Sequence, residues 1–525
     1  MPPSWRNVVE RKRALQATEL SPYADKTLSS SLTHIDDIDK LIHLLATGET
    51  SAETVTREYI HRATQVHKTT NCLTEINFDA ALGKARSLDT YFKTNHALVG
   101  PLHGVPVTVK DQFNIKGLDT TLGYIGRAFQ PADDDAVIVK ILQDLGAIVI
   151  AKTNLPQSIM VSPPPALIIW VAFDEVFSAF TPGGSTGGEG ALLAEHGSLV
   201  GWGTDIGGSI RIPSSICGVY GLKPSSARLP YQGVPVSTEG QEHVPSAIGP
   251  MTRSLSSMTT VTKAVLTAQP WMLDPRVVPI PWREDEYLSV QNRPLVIGIM
   301  LDDGVVRAHP PIERALKELA AKLEAAGHEL VNWEPSLHKE SIDIMDGFYT
   351  ADGGQDIRDA IESGGEPFIP HVEALVNRGE AISVYEYWQL NKRKLAIQKA
   401  YLDKWNAIRG PKSGRVVDVL LTPTMPHAAV PHRACRWVGY TKVWNLLDYT
   451  ALAFPVGVIS KDLDASPEVG YEPRNEIDAF NWGLYDAETM DGHPVGLQIV
   501  GRRFEEEKVL GVCRVFEEVM RLGQP

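Results

Sequence analysis

The sequence predicts an α/β protein with one large α/β/α domain, in which helices flank a central mixed, mostly parallel twisted sheet. A β-branched apolar run at 105–109 predicts a buried strand; helical periodicity over 136–145 and a second apolar run at 147–150 follow it. This β-α-β order favours parallel neighbours. No internal repeat or low-complexity linker divides the 525 residues. We therefore expect a poorly packed N-terminal arm at 1–30 and one catalytic domain over 31–525.

The other elements follow from the same patterns. A Thr-Ser-Ala-Glu capping box at 50–53 predicts a helix start, and Leu316, Leu319 and Leu323 share one face of an amphipathic helix. The remaining helices are expected at 311–326, 384–408 and 505–521, and the remaining strands at 295–300, 418–421, 454–458 and 495–500. Residues 459–480 are acidic and contain prolines, which predicts a surface loop.

Composition excludes several classes of function. The net charge of −14 and the pI of about 5.6 disfavour nucleic acid and anionic membranes as partners. The longest apolar run, 166–173, is far shorter than the roughly 20 residues that span a bilayer, and no secretory signal is apparent. The four cysteines are widely spaced, which disfavours a disulfide scaffold or a zinc site. We expect a soluble cytoplasmic protein without metal or cofactor.

Two glycine-rich loops, at 183–188 and 203–211, contain candidate functional hydroxyls. Either loop alone is also consistent with a plain turn or a phosphate cradle. Neither contains the lysine of a Walker loop, and no predicted strand directly precedes Gly183. A nucleophilic Ser209 explains more, because the glycines before it let the N–H groups of residues 206–209 converge on an oxyanion. The Gly-x-Ser-x-Gly elbow is absent.

The base that would activate such a serine has two kinds of candidate. His103, His196, His427 and His432 are available, but none stands in a distinctive spacing. Lys110 follows a predicted buried strand, where α/β folds place their sites, and burial can neutralise a lysine. These residues alone leave both possibilities open.

Taken together, the motifs resemble those of the amidase-signature family. Three blocks carry the resemblance: Gly-Val-Pro-Val-Thr-Val-Lys-Asp at 104–111, Gly-Gly-Ser-Thr-Gly-Gly-Glu-Gly at 183–190, and residues 203–213 followed by Gly-Val-Tyr-Gly-Leu-Lys-Pro at 218–224. Supporting blocks lie at 152–158, 249–254 and 492–501, and the whole match covers roughly 35–520 in the family's order. The resemblance implies the amidase-signature fold and the hydrolysis of a small-molecule amide.

The resemblance also implies roles for individual residues. Lys110 corresponds to the base, Ser185 to the serine that follows a cis peptide bond, and Ser209 to the nucleophile that forms an acyl-enzyme. Asp205 and Arg211 are expected to hold the loop. The residues expected to contact the substrate are Ile206, Gly207, Gly208, Ser209, Ser185 and Ile159.

Within the family, the sequence at 203–213 and 154–158 is most similar to that of fungal acetamidase-like enzymes and general amidases. The alternatives are a fatty-acid-amide-hydrolase-like enzyme, a glutamine-dependent amidotransferase subunit, which would need a partner chain, and a catalytically impaired relative. The sequence also allows a homodimer.

The chain departs from the family pattern in two places. Thr186 replaces the usual second serine but keeps a hydroxyl. Residues 161–180 contain three consecutive prolines and an apolar run where relatives are polar. Two explanations compete: a substrate pocket with a more apolar wall, or a local error in the gene sequence such as a misread exon.

Overall fold

A computed structural model describes residues 4–24, 31–160, 179–464 and 470–522. The helices are α1 Trp5–Leu20, α2 Ile38–Thr47, α3 Ala52–Thr70, α4 Phe78–Asn95, α5 Val137–Asp144, α6 Gly187–Ala194, α7 Arg211–Ile216, α8 Leu255–Thr267, α9 Glu284–Ser289, α10 Pro310–Ala325, α11 His338–Tyr349, α12 Gln355–Gly364, α13 Pro370–Val376, α14 Val384–Ala407, α15 Gly439–Leu446, α16 Glu476–Trp482 and α17 Glu506–Arg521. The strands are β1 Leu73–Ile76, β2 Pro106–Lys110, β3 Ile148–Thr153, β4 Val200–Asp205, β5 Tyr220–Lys223, β6 Ala247–Thr252, β7 Val296–Ile299, β8 Glu329–Asn332, β9 Val419–Pro423, β10 Ala451–Val458 and β11 Pro494–Val500.

The strands form one mixed sheet in the order β1-β3-β2-β4-β6-β5-β10-β11-β9-β7-β8, which confirms the predicted α/β class with a mixed sheet. The expected majority of parallel pairs is wrong, because six of the ten neighbouring pairs are antiparallel. The parallel pairs are β3-β2, β2-β4, β9-β7 and β7-β8. The β-α-β pattern at 105–150 correctly predicts that β2 and β3 are parallel neighbours. Parallel pairing does not continue into the centre of the sheet.

The sequence does not predict the central strands β4, β5 and β6, because glycines interrupt their apolar runs. Gly203 in β4 faces α6, and a Cβ atom there would lie 2.6 Å from Thr186 Cγ2. Gly221 in β5 similarly has no room for a side chain beside Ser214 of α7. Glycines in these strands therefore let α6 and α7, which flank the two glycine-rich loops, pack directly on the sheet.

Helices cover both faces of the sheet, and alternate strand residues belong to different clusters. In β9, Val419 and Leu421 pack in the cluster that contains α10 and α17 residues. Leu420, between them, packs in the cluster that contains Tyr401 of α14 and Trp444 of α15. The sheet is therefore the middle layer of three.

Three local expectations need correction. Residues 5–20, expected to pack poorly, form α1, whose buried Lys12 pairs with Glu75 and Asp119 at 2.5 and 2.7 Å. The capping box at 50–53 is absent, because Ser51 is the N-cap of α3 and Asp89 accepts hydrogen bonds from the next two N–H groups. The loop predicted at 459–480 runs into α16.

Residues 161–178 lie outside the described part of the chain, so neither explanation for the unusual 161–180 stretch is tested. Among the described residues, no helix is long and apolar enough to cross a membrane.

Candidate active site

Lys110 is the last residue of β2 and is fully buried. Its Nζ atom lies 2.7 Å from Ser185 Oγ and 2.9 Å from Thr204 Oγ1. Burial lowers the pKa of Lys110 to about 7, against the opposing charges of Asp205, Asp111 and Glu189. A substantial fraction of Lys110 is therefore a neutral amine near pH 7, which can accept a proton.

Ser185 stands just before α6 and is also fully buried. The Gly184–Ser185 peptide bond is cis. The next residue, Thr186, donates its backbone N–H to the carbonyl oxygen of Ser209 at 3.1 Å. This hydrogen bond joins the two glycine-rich loops and brings Ser209 next to the Lys110–Ser185 pair along the backbone.

Ser209 lies in the turn between β4, which ends at Asp205, and α7, which begins at Arg211. Gly208 has a φ of 128°, a conformation that favours glycine. Ser209 is partly exposed, unlike the buried Lys110 and Ser185. Among the described residues, none forms a hydrogen bond with the Ser209 hydroxyl.

The turn is held by an ion pair between Asp205 and Arg211, both of whose side chains are fully buried. The guanidinium has five N–H groups, and each has an acceptor. The acceptors are the two carboxylate oxygens of Asp205, the Thr441 carbonyl, Gln498 Oε1 and Asn445 Oδ1, at 2.8 to 3.2 Å. Burial alone would raise the pKa of Asp205, but the charge and hydrogen bonds of Arg211 hold it below its ordinary value.

The expected oxyanion donors do not all remain available. The Gly208 N–H donates to Asp205 Oδ1 at 2.8 Å, so in this conformation it is committed to the loop. No described residue accepts a hydrogen bond from the N–H groups of Ile206, Gly207 or Ser209. The carbonyl oxygens of Ile206 and Gly207 accept hydrogen bonds from the hydroxyls of Tyr349 and Thr441, at 3.1 and 2.6 Å. Because a trans peptide points its C=O and N–H in opposite directions, the Gly207 N–H faces away from Tyr349.

Glu189 of α6 lies buried beneath Lys110. The hydroxyls of Thr108 and Thr153 donate to its carboxyl oxygens at 2.6 and 2.9 Å. Burial raises the pKa of Glu189 to about 8, although these hydroxyls oppose the shift. The carboxyl is thus largely protonated at neutral pH and adds little negative charge beside the lysine.

The histidine candidates have other surroundings. His103 Nδ1 accepts from the Val99 N–H, His196 lies 3.6 Å from Asp36, and the ring of His427 packs 6.2 Å from that of His309. None of these contacts involves Ser185 or Ser209. Ile159 packs beside the apolar cluster that contains Leu122 and Tyr124. No group of three or more potential metal ligands occurs among the described residues.

Several residues of the site were not identified from sequence. Thr204 contacts Lys110 and donates a hydrogen bond to Gln112. Thr204 stands inside the block at 203–213, and Gln112 directly follows the block at 104–111. Three side chains contact the loop at 203–211 from α11 and α15, more than 130 residues away in the chain: Tyr349, Thr441 and Asn445. No local sequence pattern marks them. A cavity of about 610 Å³ opens beside Ile206, with Phe348, Tyr349 and Tyr387 in its lining.

Comparison with known proteins gives consistent matches. A model of the amidase family matches residues 54–510. "Amidase 1" of Gibberella moniliformis is 54% identical over 522 residues, which are 99% of this chain and 100% of that protein. An acetamidase of Emericella nidulans is 37% identical over 546 residues and 99% of each chain. A fatty acid amide hydrolase structure superposes with a TM-score of 0.88 and 30% identity, covering 99% of this chain and 91% of that one.

The Asp205–Arg211 pair predicts a large stability effect. Arg211→Met leaves the Asp205 carboxylate buried without a counter-charge, so we expect it to lower the free energy of unfolding by about 3–5 kcal/mol. Arg57→Met is the matched control, because the Arg57–Glu53 pair is 45% and 30% exposed; it should cost under about 1 kcal/mol. Urea unfolding measures both. Equal losses in the two variants would contradict the assigned role of the buried pair.

Proposed function

The chain belongs to the amidase family and is an amide hydrolase, and from this premise we propose that it cleaves a carboxamide to a carboxylate and ammonia or an amine through a Ser209 acyl-enzyme. Lys110 is the base, and Ser185 relays the proton. The observation that carries the proposal is the 2.7 Å contact between Lys110 Nζ and Ser185 Oγ in a fully buried setting. A lysine that titrates near neutral pH is suited to general base catalysis.

In the first step, neutral Lys110 accepts the Ser185 proton while Ser185 takes the proton of Ser209. The Ser209 oxygen forms a bond to the amide carbon, and the carbonyl becomes an oxyanion. The N–H groups of Ile206, Gly207 and Ser209 are the proposed donors to that oxyanion. The hydrogen bond from Tyr349 to the Ile206 carbonyl supports the Gly207 N–H in this role.

In the second step, the oxyanion collapses and the C–N bond breaks. The proton held by Lys110 returns through Ser185 to the leaving nitrogen, so ammonia or an amine departs. Water then attacks the Ser209 ester and passes one proton through Ser185 to Lys110. When the ester C–O bond breaks, that proton returns through Ser185 to the Ser209 oxygen, and the carboxylic acid leaves and ionises to the carboxylate. The relay ends in its starting state.

We further propose a small or medium neutral carboxamide as substrate, supported by the similarity to amidases and acetamidases over nearly the whole chain. A hydrolysis screen across acetamide, aryl amides, long-chain amides and glutamine tests this proposal. Preferential hydrolysis of long-chain amides or of glutamine would contradict it. A cytoplasmic location is part of the same proposal; its support is the wide spacing of the four cysteines, which disfavours a disulfide scaffold.

The nucleophile can be tested by covalent labelling. A fluorophosphonate should add one adduct, on Ser209, and Ser209→Ala should lose both the adduct and activity, by about 10⁴-fold or more. Ser289→Ala, at an exposed position in α9, is the control and should keep both. Intact mass and peptide mapping measure the adduct. Labelling of folded Ser209→Ala at the same rate as wild type would exclude Ser209 as the nucleophile.

With Lys110 as the base, kcat/KM is expected to depend on pH. Only neutral Lys110 can accept a proton, so kcat/KM should fall about tenfold per pH unit below an apparent pKa near 7 and level off above it. Lys110→Arg should lose activity at every pH up to 9, because a guanidinium stays protonated. A full pH profile of both proteins checks this. Retention of the wild-type acid limb by Lys110→Arg would assign that limb to another group.

A further inference from the structure

We propose that Gln112 is a positioning residue of this site. Acting through Thr204, its side-chain amide fixes the direction of the hydrogen bonds around Lys110, so that the lone pair of the neutral amine is left for Ser185. The inference rests on the proposed function, in which Lys110 is the base. It is carried by three consecutive hydrogen bonds that join Pro235, Gln112, Thr204 and Lys110.

The orientation of the Gln112 amide is set by a backbone carbonyl. Gln112 Nε2 lies 2.8 Å from the carbonyl oxygen of Pro235, which can only accept a hydrogen bond. The amide nitrogen must therefore face Pro235, and Oε1 must face Thr204. Gln112 is 1% exposed, so bulk water offers no competing partner that would favour the flipped amide.

The direction of the next hydrogen bond follows. Gln112 Oε1 can only accept, and it lies 2.6 Å from Thr204 Oγ1. The single proton of the Thr204 hydroxyl is therefore used toward Gln112. Thr204 is buried as well, so its hydroxyl can only accept from Lys110 Nζ, 2.9 Å away.

As a result, the N–H groups and the lone pair of neutral Lys110 have different partners. A neutral lysine has two N–H groups and one lone pair, and Thr204 occupies one N–H. The other hydroxyl in contact is Ser185, at 2.7 Å, and it remains the donor for the lone pair. Ser185 thereby becomes oriented to receive a proton from Ser209. Without the Gln112 acceptor, Thr204 could turn its own O–H toward the amine and compete with Ser185.

Charged groups near Lys110 must be kept constant in any test. The carboxyls that face it are Asp111 after β2, Glu189 of α6 and Asp205 at the end of β4. None of them contacts Gln112 through a hydrogen bond in the described structure. Substitution of Gln112 by an uncharged residue therefore alters the hydrogen-bond direction and leaves these charges in place.

The test compares two variants of Gln112. Gln112→Met has a similar size but no acceptor, so Thr204 can donate to neutral Lys110; we expect kcat to fall about tenfold with little change in KM. The acid limb of the pH profile should also move to lower pH, because a donated hydrogen bond favours the neutral amine. Gln112→Glu keeps an acceptor for Thr204, and its buried carboxyl must be protonated to donate to the Pro235 carbonyl, so its acid limb should stay close to that of the wild type.

Thr204 provides the rescue experiment. Thr204→Val should lower kcat, whereas Thr204→Ser keeps the hydroxyl and should restore most of it. Gln16→Met is the matched control, because Gln16 is also buried and donates to backbone carbonyls, those of Leu73 and Thr74, in another part of the molecule. It should leave kcat and the pH profile unchanged.

The outcomes separate this inference from the proposed function. An active wild-type enzyme, with Gln112→Met showing unchanged kcat and an unmoved acid limb, would overturn the role of Gln112 alone. So would a loss of kcat in folded Gln112→Met with no shift of the limb, since that indicates only a packing role. A wild-type protein without Ser209-dependent amide hydrolysis would overturn both. A shift to lower pH in Gln112→Met, together with a wild-type acid limb in Gln112→Glu, would support the inference.

Discussion

A guanidinium taken out of water is stable only where every N–H finds an acceptor, and the interior around Arg211 is arranged to meet this demand. Its acceptors come from the end of β4, from α15 and from β11. Both α15 and β11 lie more than 200 residues from β4 in the chain. The turn that bears Ser209 is enclosed between the two ends of the Asp205–Arg211 pair, so its position depends on packing between both halves of the sheet.

The same ion pair also determines which backbone N–H groups of the turn are used in hydrogen bonds within it. Asp205 accepts from the N–H groups of Gly208 and Ile210, which are thereby assigned to structure. Tyr349 and Thr441 hold carbonyls of the turn from outside. Among the described residues, no acceptor takes the N–H groups of Ile206, Gly207 and Ser209, which are the proposed donors to the oxyanion. Preorganised donors of this kind need not reorient as charge develops.

The class of fold and the two glycine-rich loops can be predicted from the sequence because their signals are local: β-branched runs, helical periodicity and clustered glycines. The sequence does not predict β4, β5 or β6, since glycines interrupt the apolar pattern that marks a strand. The glycines of β4 and β5 give room to α6 and α7, and Gly249 of β6 lies against the Leu222 carbonyl of β5. Histidine and lysine both stay open as candidate bases from the sequence alone, because burial is a property of the folded chain. The contribution of Tyr349 depends on a contact between positions 143 residues apart.

The neutral form of Lys110 depends on the surroundings of the nearby carboxyls. Three acidic side chains face the amine, and their charges oppose the lowering of its pKa by burial. The charge of Asp205 is matched by Arg211. Glu189, with a pKa raised to about 8 by burial, is largely protonated and carries little charge. Asp111 accepts three hydrogen bonds from the Thr121–Leu122 turn through one of its oxygens. Desolvation therefore prevails at Lys110, and a buried lysine surrounded by acids can act as a base.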